Sequence, residues 1–97
     1  MRLLRLYDCL CDVTRLRLLN LLVERPLCVC HFEAMLGVPQ ARISRHLAYL
    51  RRHAMVTVTQ QGAWRVYALA DPAPAELQAN LACLQDARAT EPLLRRD

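Results

Sequence analysis

The chain has 97 residues, which is enough for one domain and too few for a second hydrophobic core. Hydrophobic residues make up 55% of the chain and its formal net charge is +4, a composition that excludes an intrinsically disordered protein. Arginines interrupt every leucine-rich segment, and no small-residue cleavage site follows an apolar N-terminal core, so we expect a cytoplasmic protein with no membrane partner.

Helical periodicity predicts two N-terminal helices, at residues 2 to 11 and 14 to 24, with Asp12 or Thr14 capping the second. Pro26 ends that helix, and a short third helix at residues 29 to 36 ends at Gly37, which suits a left-handed C-terminal position. A fourth helix follows at residues 39 to 53. Its buried stripe repeats at helical spacing and consists of Ile43, Leu47 and Leu50.

From Met55 onward the apolar period changes to two, which predicts a β-hairpin at about residues 55 to 69 that turns at Gly62. A last amphipathic helix at about residues 73 to 89 places Leu77, Leu81 and Leu84 on one face. A domain this small buries a modest fraction of its surface, so we expect the first and last helices to form a homodimer interface.

The charges are segregated along the chain. Between residues 34 and 70 there is no Asp or Glu, and the five basic residues there are Arg42, Arg45, Arg51, Arg52 and Arg65. Charge runs usually mark solvated surface. Here the basic segment coincides with a short helix, a turn, a second helix and a hairpin, the order of a winged helix-turn-helix. We expect a mainly α fold with a β-hairpin wing, in one DNA-binding domain at residues 1–97 whose helix-turn-helix lies at about 29–53.

The exposed face of the fourth helix carries small and hydrogen-bonding side chains that suit a major groove. Gln40 can pair with an adenine edge, and Arg42 or Arg45 with guanine. Ser44 suits a base or a phosphate, and Arg65 in the hairpin suits a phosphate or the minor groove. The predicted DNA-binding residues are Gln40, Arg42, Ser44, Arg45, His46, Tyr49, Arg52 and Arg65. The alternatives are a packed His46, and Tyr49 and Arg52 covering the hairpin.

Two of the five cysteines, Cys28 and Cys30, lie where the third helix begins. Two soft thiolates this close favour a thiophilic ion over magnesium or calcium. On a regular helix residues two apart point about 200° away from each other, so we expect both sulfurs to bind one ion only if this turn frays or unwinds. Bound ion and docked DNA would then oppose each other. The alternative is that both are small buried hydrophobes.

Four runs of sequence together carry a resemblance to a known family: DVTRLRLL at residues 12–19, LCVC at 27–30, QARISRHL at 40–47 and QGAWRVY at 61–67. In this order they resemble the arsenical-resistance repressors of the ArsR/SmtB family, over residues 6 to about 69. The resemblance implies a homodimeric winged-helix repressor that a metal or metalloid ion releases from its operator. The sequence has no phosphate loop and no paired-carboxylate pattern, so we expect no enzymatic activity and no organic cofactor. Two-fold symmetry implies an inverted-repeat operator.

The LCVC run implies trivalent arsenic or antimony as the inducer, bound by Cys28 and Cys30. In the arsenite-type site of this family a third cysteine usually follows, and this chain has Glu33 there. Either two thiolates suffice, with hydroxide, an organic group or a small thiol completing the coordination, or another cysteine contributes. The candidates are Cys9 and Cys11, because some members of the family recruit N-terminal cysteines, in some cases across the dimer. The alternative for Cys9 and Cys11 is that they are packed hydrophobic residues and not ligands. The same alternative applies more strongly to Cys83 in the last helix.

His31 also departs from the family, whose members commonly have an acid there. We interpret it as a solvent-facing helix residue, with a ligand role toward zinc or cadmium as the alternative. The last helix contains no His, which argues against the zinc site of the zinc-responsive relatives. Two further functions stay open: a winged-helix repressor that responds to cadmium, lead, zinc or thiol oxidation, and a winged-helix module for protein or RNA contacts.

Overall fold

Five helices and three short strands make up the computed structural model, which describes residues 2–91 and 97. The helices lie within about two residues of the bounds expected from periodicity. In chain order the elements are α1 (Arg2–Leu10), α2 (Val13–Glu24), β1 (Leu27–Cys28), α3 (Val29–Leu36), α4 (Gln40–Arg52), β2 (Val56–Gln61), β3 (Trp64–Leu69) and α5 (Ala75–Thr90). No helix in this part of the chain is long and apolar enough to cross a membrane.

The core lies between the helices and the sheet, and all five helices contribute buried side chains to it. The predicted stripe of α4 is completely buried, since Ile43, Leu47 and Leu50 have no exposed surface. The stripe of α5 is also confirmed, because Leu77 and Leu84 are buried and Leu81 packs against the same cluster. Burial of these three α4 side chains holds the opposite face of the helix toward solvent.

Asp12 joins α1 to α2. Its backbone is extended, and its side chain accepts a hydrogen bond of 3.1 Å from the backbone N–H of Arg15. An aspartate at this position satisfies one of the N–H groups that have no partner in the first turn of a helix. Of the two expected caps, Asp12 and Thr14, the structure selects Asp12.

We expect Asp12→Ala to lower the free energy of unfolding by about 1 kcal/mol, because the first turn of α2 loses its cap. Asp12→Asn keeps an acceptor oxygen for the same N–H and should lose much less. Urea denaturation of both variants at one protein concentration measures the difference. Equal losses in the two variants would contradict a capping role.

The hairpin of β2 and β3 is the predicted wing, and its turn contains Gly62 with a φ of +63°. The structure adds a third strand that periodicity did not predict. Strand β1 pairs antiparallel with β3, with Leu27 opposite Tyr67 and Cys28 opposite Val66. The sheet order is therefore β1-β3-β2, and the first cysteine of the C-x-C motif is attached to the wing.

Candidate metal centre and nucleic-acid interface

The two cysteines of the C-x-C motif belong to different elements. Cys28 ends β1 and is the N-cap of α3, with extended backbone angles of −91° and 165°, and the helix begins at Val29. The rule that residues two apart on a helix diverge therefore does not apply to Cys28 and Cys30. The expectation that α3 must fray or unwind assumed a regular helix at both residues, and that premise is wrong: with α3 intact, the extended N-cap leaves the two sulfurs within 4.8 Å of each other.

The imidazole of His31 completes a group of three potential ligands. Its Nδ1 lies 3.3 Å from the Sγ of Cys28 and accepts a long hydrogen bond, of 3.5 Å, from the N–H of that residue. The ligand atoms of Cys28, Cys30 and His31 all lie within 4.8 Å of one another. His31 is exposed, as expected, but Nδ1 faces the sulfur. Over residues 2–91 and 97, no other three His, Cys, Asp or Glu side chains form such a group.

The two thiols have unequal acidities. Burial alone would raise the pKa of Cys28, but hydrogen bonds from the Cys30 side chain and from the backbone N–H groups of His31 and Cys30 outweigh it, so this pKa lies below its ordinary value. The hydrogen bond to Cys28 raises the pKa of Cys30. Cys28 is thus the first of the pair to ionise, and a thiolate is the form that binds soft ions.

The remaining cysteines lie outside this group in the described part of the chain. Cys9 is completely buried in the core, and burial raises the pKa of its thiol. Cys11 and Cys83 are exposed. Glu33 is exposed as well and does not join the group. The donor set of one chain therefore fits an ion that accepts two thiolates, whereas a third sulfur is absent from the group.

A basic cleft of about 520 Å³ separates α4 from the wing. Four of the predicted DNA-binding residues line it: Gln40, Ser44, Arg52 and Arg65. Arg51 lines the cleft too, although the helical pattern did not select it. Arg42 and Arg45 are exposed on α4. The cleft and the exposed face of α4 thus carry the five arginines of residues 34–70, and direct contact of these residues with DNA stays a prediction.

The other two predicted DNA-binding residues are His46 and Tyr49. Both face the α1–α2 junction, where Arg15 contacts them. Its guanidinium donates to the backbone oxygens of Cys9 and Asp8 at 2.8 and 2.9 Å, lies 3.3 Å from Nδ1 of His46, and stacks 4.4 Å above the ring of Tyr49. The Tyr49 hydroxyl donates to the carboxylate of Asp8. The contacts of Tyr49 with Asp8 and Arg15 thus place its hydroxyl and ring face at this junction. These contacts join α4 to α1 and α2, a role that sequence periodicity did not suggest for Arg15.

The electrostatics of this cluster depend on protonation. The hydrogen bond to Asp8, together with burial, raises the pKa of Tyr49 to about 12. Burial, and then the positive charge of Arg15, lower the pKa of His46, although the carboxylate of Asp12 at 3.8 Å opposes the shift. Because an arginine can only donate, its contact with Nδ1 of His46 is a hydrogen bond in the neutral form of the ring, which is the form that the lowered pKa favours.

We expect acid to destabilise the fold through His46. A histidine whose pKa is lower in the folded than in the unfolded chain stabilises the fold above its ordinary pKa of 6.5, and this contribution is lost as pH falls below that value. Urea unfolding at about pH 7.5 and about pH 5.5 measures the loss, which should be smaller in His46→Gln. Identical pH dependence in the two proteins would exclude His46 as its source.

Comparisons with known proteins address the fold and the family. A family model described as "Bacterial regulatory protein, arsR family" matches residues 12–58. The arsenic resistance transcriptional regulator ArsR1 of Pseudomonas putida is 38% identical over 82 residues, covering 84% of this chain and 64% of that protein. ArsR2 of the same organism, with the same description, is 37% identical over 89 residues, covering 82% of this chain and 77% of that protein.

Among solved structures, the transcriptional repressor BigR from Xylella fastidiosa matches with a TM-score of 0.77 at 27% identity, over 89% of this chain and 83% of that one. This match confirms the expected winged helix-turn-helix. The chain spans a little under two thirds of the length of ArsR1, at 64%. The relatives named here are described as regulators or repressors of transcription.

Proposed function

Because this chain belongs to the arsR family of bacterial regulatory proteins, we propose that it is a transcriptional repressor that binds operator DNA as a homodimer and releases it when trivalent arsenic or antimony binds Cys28 and Cys30. Members of this family are regulators, so the chain is not an enzyme, as its sequence predicted. The repressor acts in the cytoplasm, where thiols stay reduced.

The convergence of two thiols at the junction of α3 and the wing is the observation that carries this proposal. Cys28 belongs at once to the sheet, through its pairing with Val66, and to the N-terminus of α3. Helix α3 packs on α4, the helix that reads DNA. An ion bound to Cys28 and Cys30 therefore acts on the residue that links the wing to the helix-turn-helix, without unwinding α3.

DNA binding is supported by the position of the charges. The five arginines of the acid-free segment at residues 34–70 all lie on α4 or the wing: Arg51, Arg52 and Arg65 line the cleft, and Arg42 and Arg45 are on α4 outside its buried stripe. Phosphate contacts from such arginines give affinity and register, and side chains near the start of α4 are placed to read bases. Binding should weaken steeply as salt rises, since neutralised phosphates release counterions.

A homodimer is supported by apolar side chains that one chain leaves exposed on α1. Leu3, Leu4 and Tyr7 are 39%, 65% and 53% exposed. Within the chain, α1 packs against α2 and α5, so the exposed side of α1 is free for the same face of a second copy. The exposed apolar side of α1 supports the α1 part of the proposed dimer interface on α1 and α5.

Fluorescence anisotropy of the reduced protein on a labelled duplex from its own upstream region tests the proposal. We expect arsenite to weaken DNA binding by about 5- to 150-fold, the usual range for coupling between two sites. DNA binding that is indifferent to arsenite and antimonite would overturn the metalloid trigger. Failure to bind duplex DNA at low salt would instead favour a module for protein or RNA contacts.

Thiol oxidation is a second trigger, favoured by the lowered pKa of Cys28 beside an exposed Cys30. Peroxide and arsenite added separately in the same assay distinguish the two. Release by peroxide alone would favour the oxidative trigger.

A further inference from the structure

The proposed function makes no use of the His31 imidazole, yet this ring faces the thiol pair. Its Nδ1 lies 3.3 Å from the Sγ of Cys28, and Cys30 completes a group within 4.8 Å. Cys28 is buried, whereas Cys30 and His31 are exposed. An ion arriving from solvent therefore meets two accessible ligands first and reaches the third behind them, which provides an entry path.

The spacing of these atoms matches a tetrahedral zinc-group ion. With Zn–S bonds of about 2.3 Å and Zn–N bonds of about 2.0–2.1 Å, two sulfur ligands lie about 3.8 Å apart, and a sulfur and a nitrogen lie about 3.5 Å apart. The observed distance of 3.3 Å from Cys28 Sγ to His31 Nδ1 is close to the second value. All the other ligand separations are below 4.8 Å, so small side-chain movements suffice to close the site.

Two contacts orient the His31 ring before any ion binds. The backbone N–H of Cys28 donates to Nδ1 over 3.5 Å, in a capping box at the start of α3. The ring also lies nearly parallel to the indole of Trp64 in β3, at an angle of 7° and a centroid distance of 6.5 Å. A ligand that is already oriented loses less rotational freedom on binding. The hydrogen bond that it gives up is long and weak.

The donor set distinguishes between classes of ion. Trivalent arsenic is thiophilic, so we expect it to bind the two sulfurs and not the imidazole of His31. Imidazole and thiolate together suit zinc, and two Cys with one His leave a fourth position for water. Magnesium and calcium prefer oxygen ligands, which this group lacks. The arrangement is thus more complete for a zinc-group ion than for arsenic.

We propose that His31 is the third ligand of a site in which Cys28, Cys30 and His31 hold a divalent zinc-group ion, zinc or cadmium. This inference rests on the proposed function, because it uses the same two thiols. It assigns a ligand role to a residue outside the C-x-C motif.

Trp64 provides a local reporter, because it is the single tryptophan of the chain and stacks on His31. A metal ion bound at Nδ1 draws electron density from the imidazole and shifts the ring, so the emission of Trp64 should change as the site fills. An ion bound to cysteines elsewhere in the chain has no such contact with the indole. The same stack connects the proposed site to the wing.

The test is a titration of the reduced full chain with zinc, in competition with a chromophoric chelator, while Trp64 emission is recorded. We expect His31→Gln to weaken zinc binding by at least about tenfold, since even residues that only orient a metal ligand are worth ~10–100-fold. The emission change should disappear in that variant. His53→Gln removes a histidine outside the group and should bind zinc like the parent protein. Arsenite affinity should be the same in all three proteins.

Each result separates the two proposals. Equal zinc affinity in His31→Gln and the parent, or zinc saturation without a change in Trp64 emission, would overturn the role of His31 and leave the metalloid repressor intact. The same holds if arsenite releases DNA but zinc and cadmium do not bind. If Cys28→Ser/Cys30→Ser keeps both its zinc affinity and its release by arsenite, the thiol pair is misassigned and both proposals fail. Loss of arsenite affinity in His31→Gln would contradict the division of ligands between the two ions.

Discussion

Replacing both thiols of the proposed sensor, as Cys28→Ser/Cys30→Ser, is expected to leave DNA binding unchanged and to abolish release by arsenite. The hydroxyls of serine replace the thiols at almost the same size, but they do not ionise at neutral pH and bind arsenic poorly. Where arsenite weakens DNA binding by the parent protein about 5- to 150-fold, the variant should change by less than about twofold. Anisotropy at fixed salt measures both.

Cys83→Ser is the matched control, because it removes an exposed thiol outside the Cys28 group. It should respond to arsenite like the parent protein. Circular dichroism and urea unfolding of the double variant establish that it is folded, which matters because Cys28 is buried. Undiminished release in a folded double variant would show that the sensing thiols lie elsewhere. Cys9→Ser and Cys11→Ser variants then show whether a thiol of the α1 region contributes.

The second large effect expected is a loss of affinity for operator DNA when one arginine is removed from α4. We expect Arg45→Ala to weaken operator binding by about 1–3 kcal/mol if this exposed side chain contacts a guanine. That corresponds to ~5- to 150-fold in affinity. The loss should be confined to operator sequence, with non-specific DNA bound almost as before. Anisotropy on operator and scrambled duplexes over a range of salt concentrations measures both properties.

Arg25→Ala is the matched control for this effect. Arg25 is exposed at the end of α2 and lies outside the acid-free segment, so its removal changes the net charge equally. A uniform loss for Arg45→Ala across sequences, with a salt slope reduced by about 1, would assign the residue to a phosphate. No difference between the two variants would exclude Arg45 from the interface.

The local pattern of apolar residues was sufficient to predict most of the secondary-structure elements. The stripe of Ile43, Leu47 and Leu50 repeats at helical spacing, and the alternation around Gly62 has the period of a strand, so both elements follow from neighbours along the chain. The basic segment was equally visible, because sign segregation needs no three-dimensional information. These properties sufficed to predict the winged helix-turn-helix and most of the basic residues that α4 and the wing expose.

The two-residue strand β1 could not be predicted from the sequence pattern. A strand this short carries no readable period, and it exists because β3, far along the chain, supplies its hydrogen bonds. That pairing extends the backbone at Cys28 and makes this residue the N-cap of α3 instead of part of its first turn. An angular argument that is correct for a regular helix therefore gave the wrong result for the two sulfurs.

The sequence by itself determined the helices, the hairpin, the basic segment and the presence of two neighbouring thiols, since each depends on residue type and local spacing. Only the tertiary structure decided which atoms meet. It turned the imidazole of His31 toward Cys28 and placed Arg15 against His46 and Tyr49. Contacts of this kind depend on the packing of whole elements and on side-chain rotation, and neither has a period along the chain.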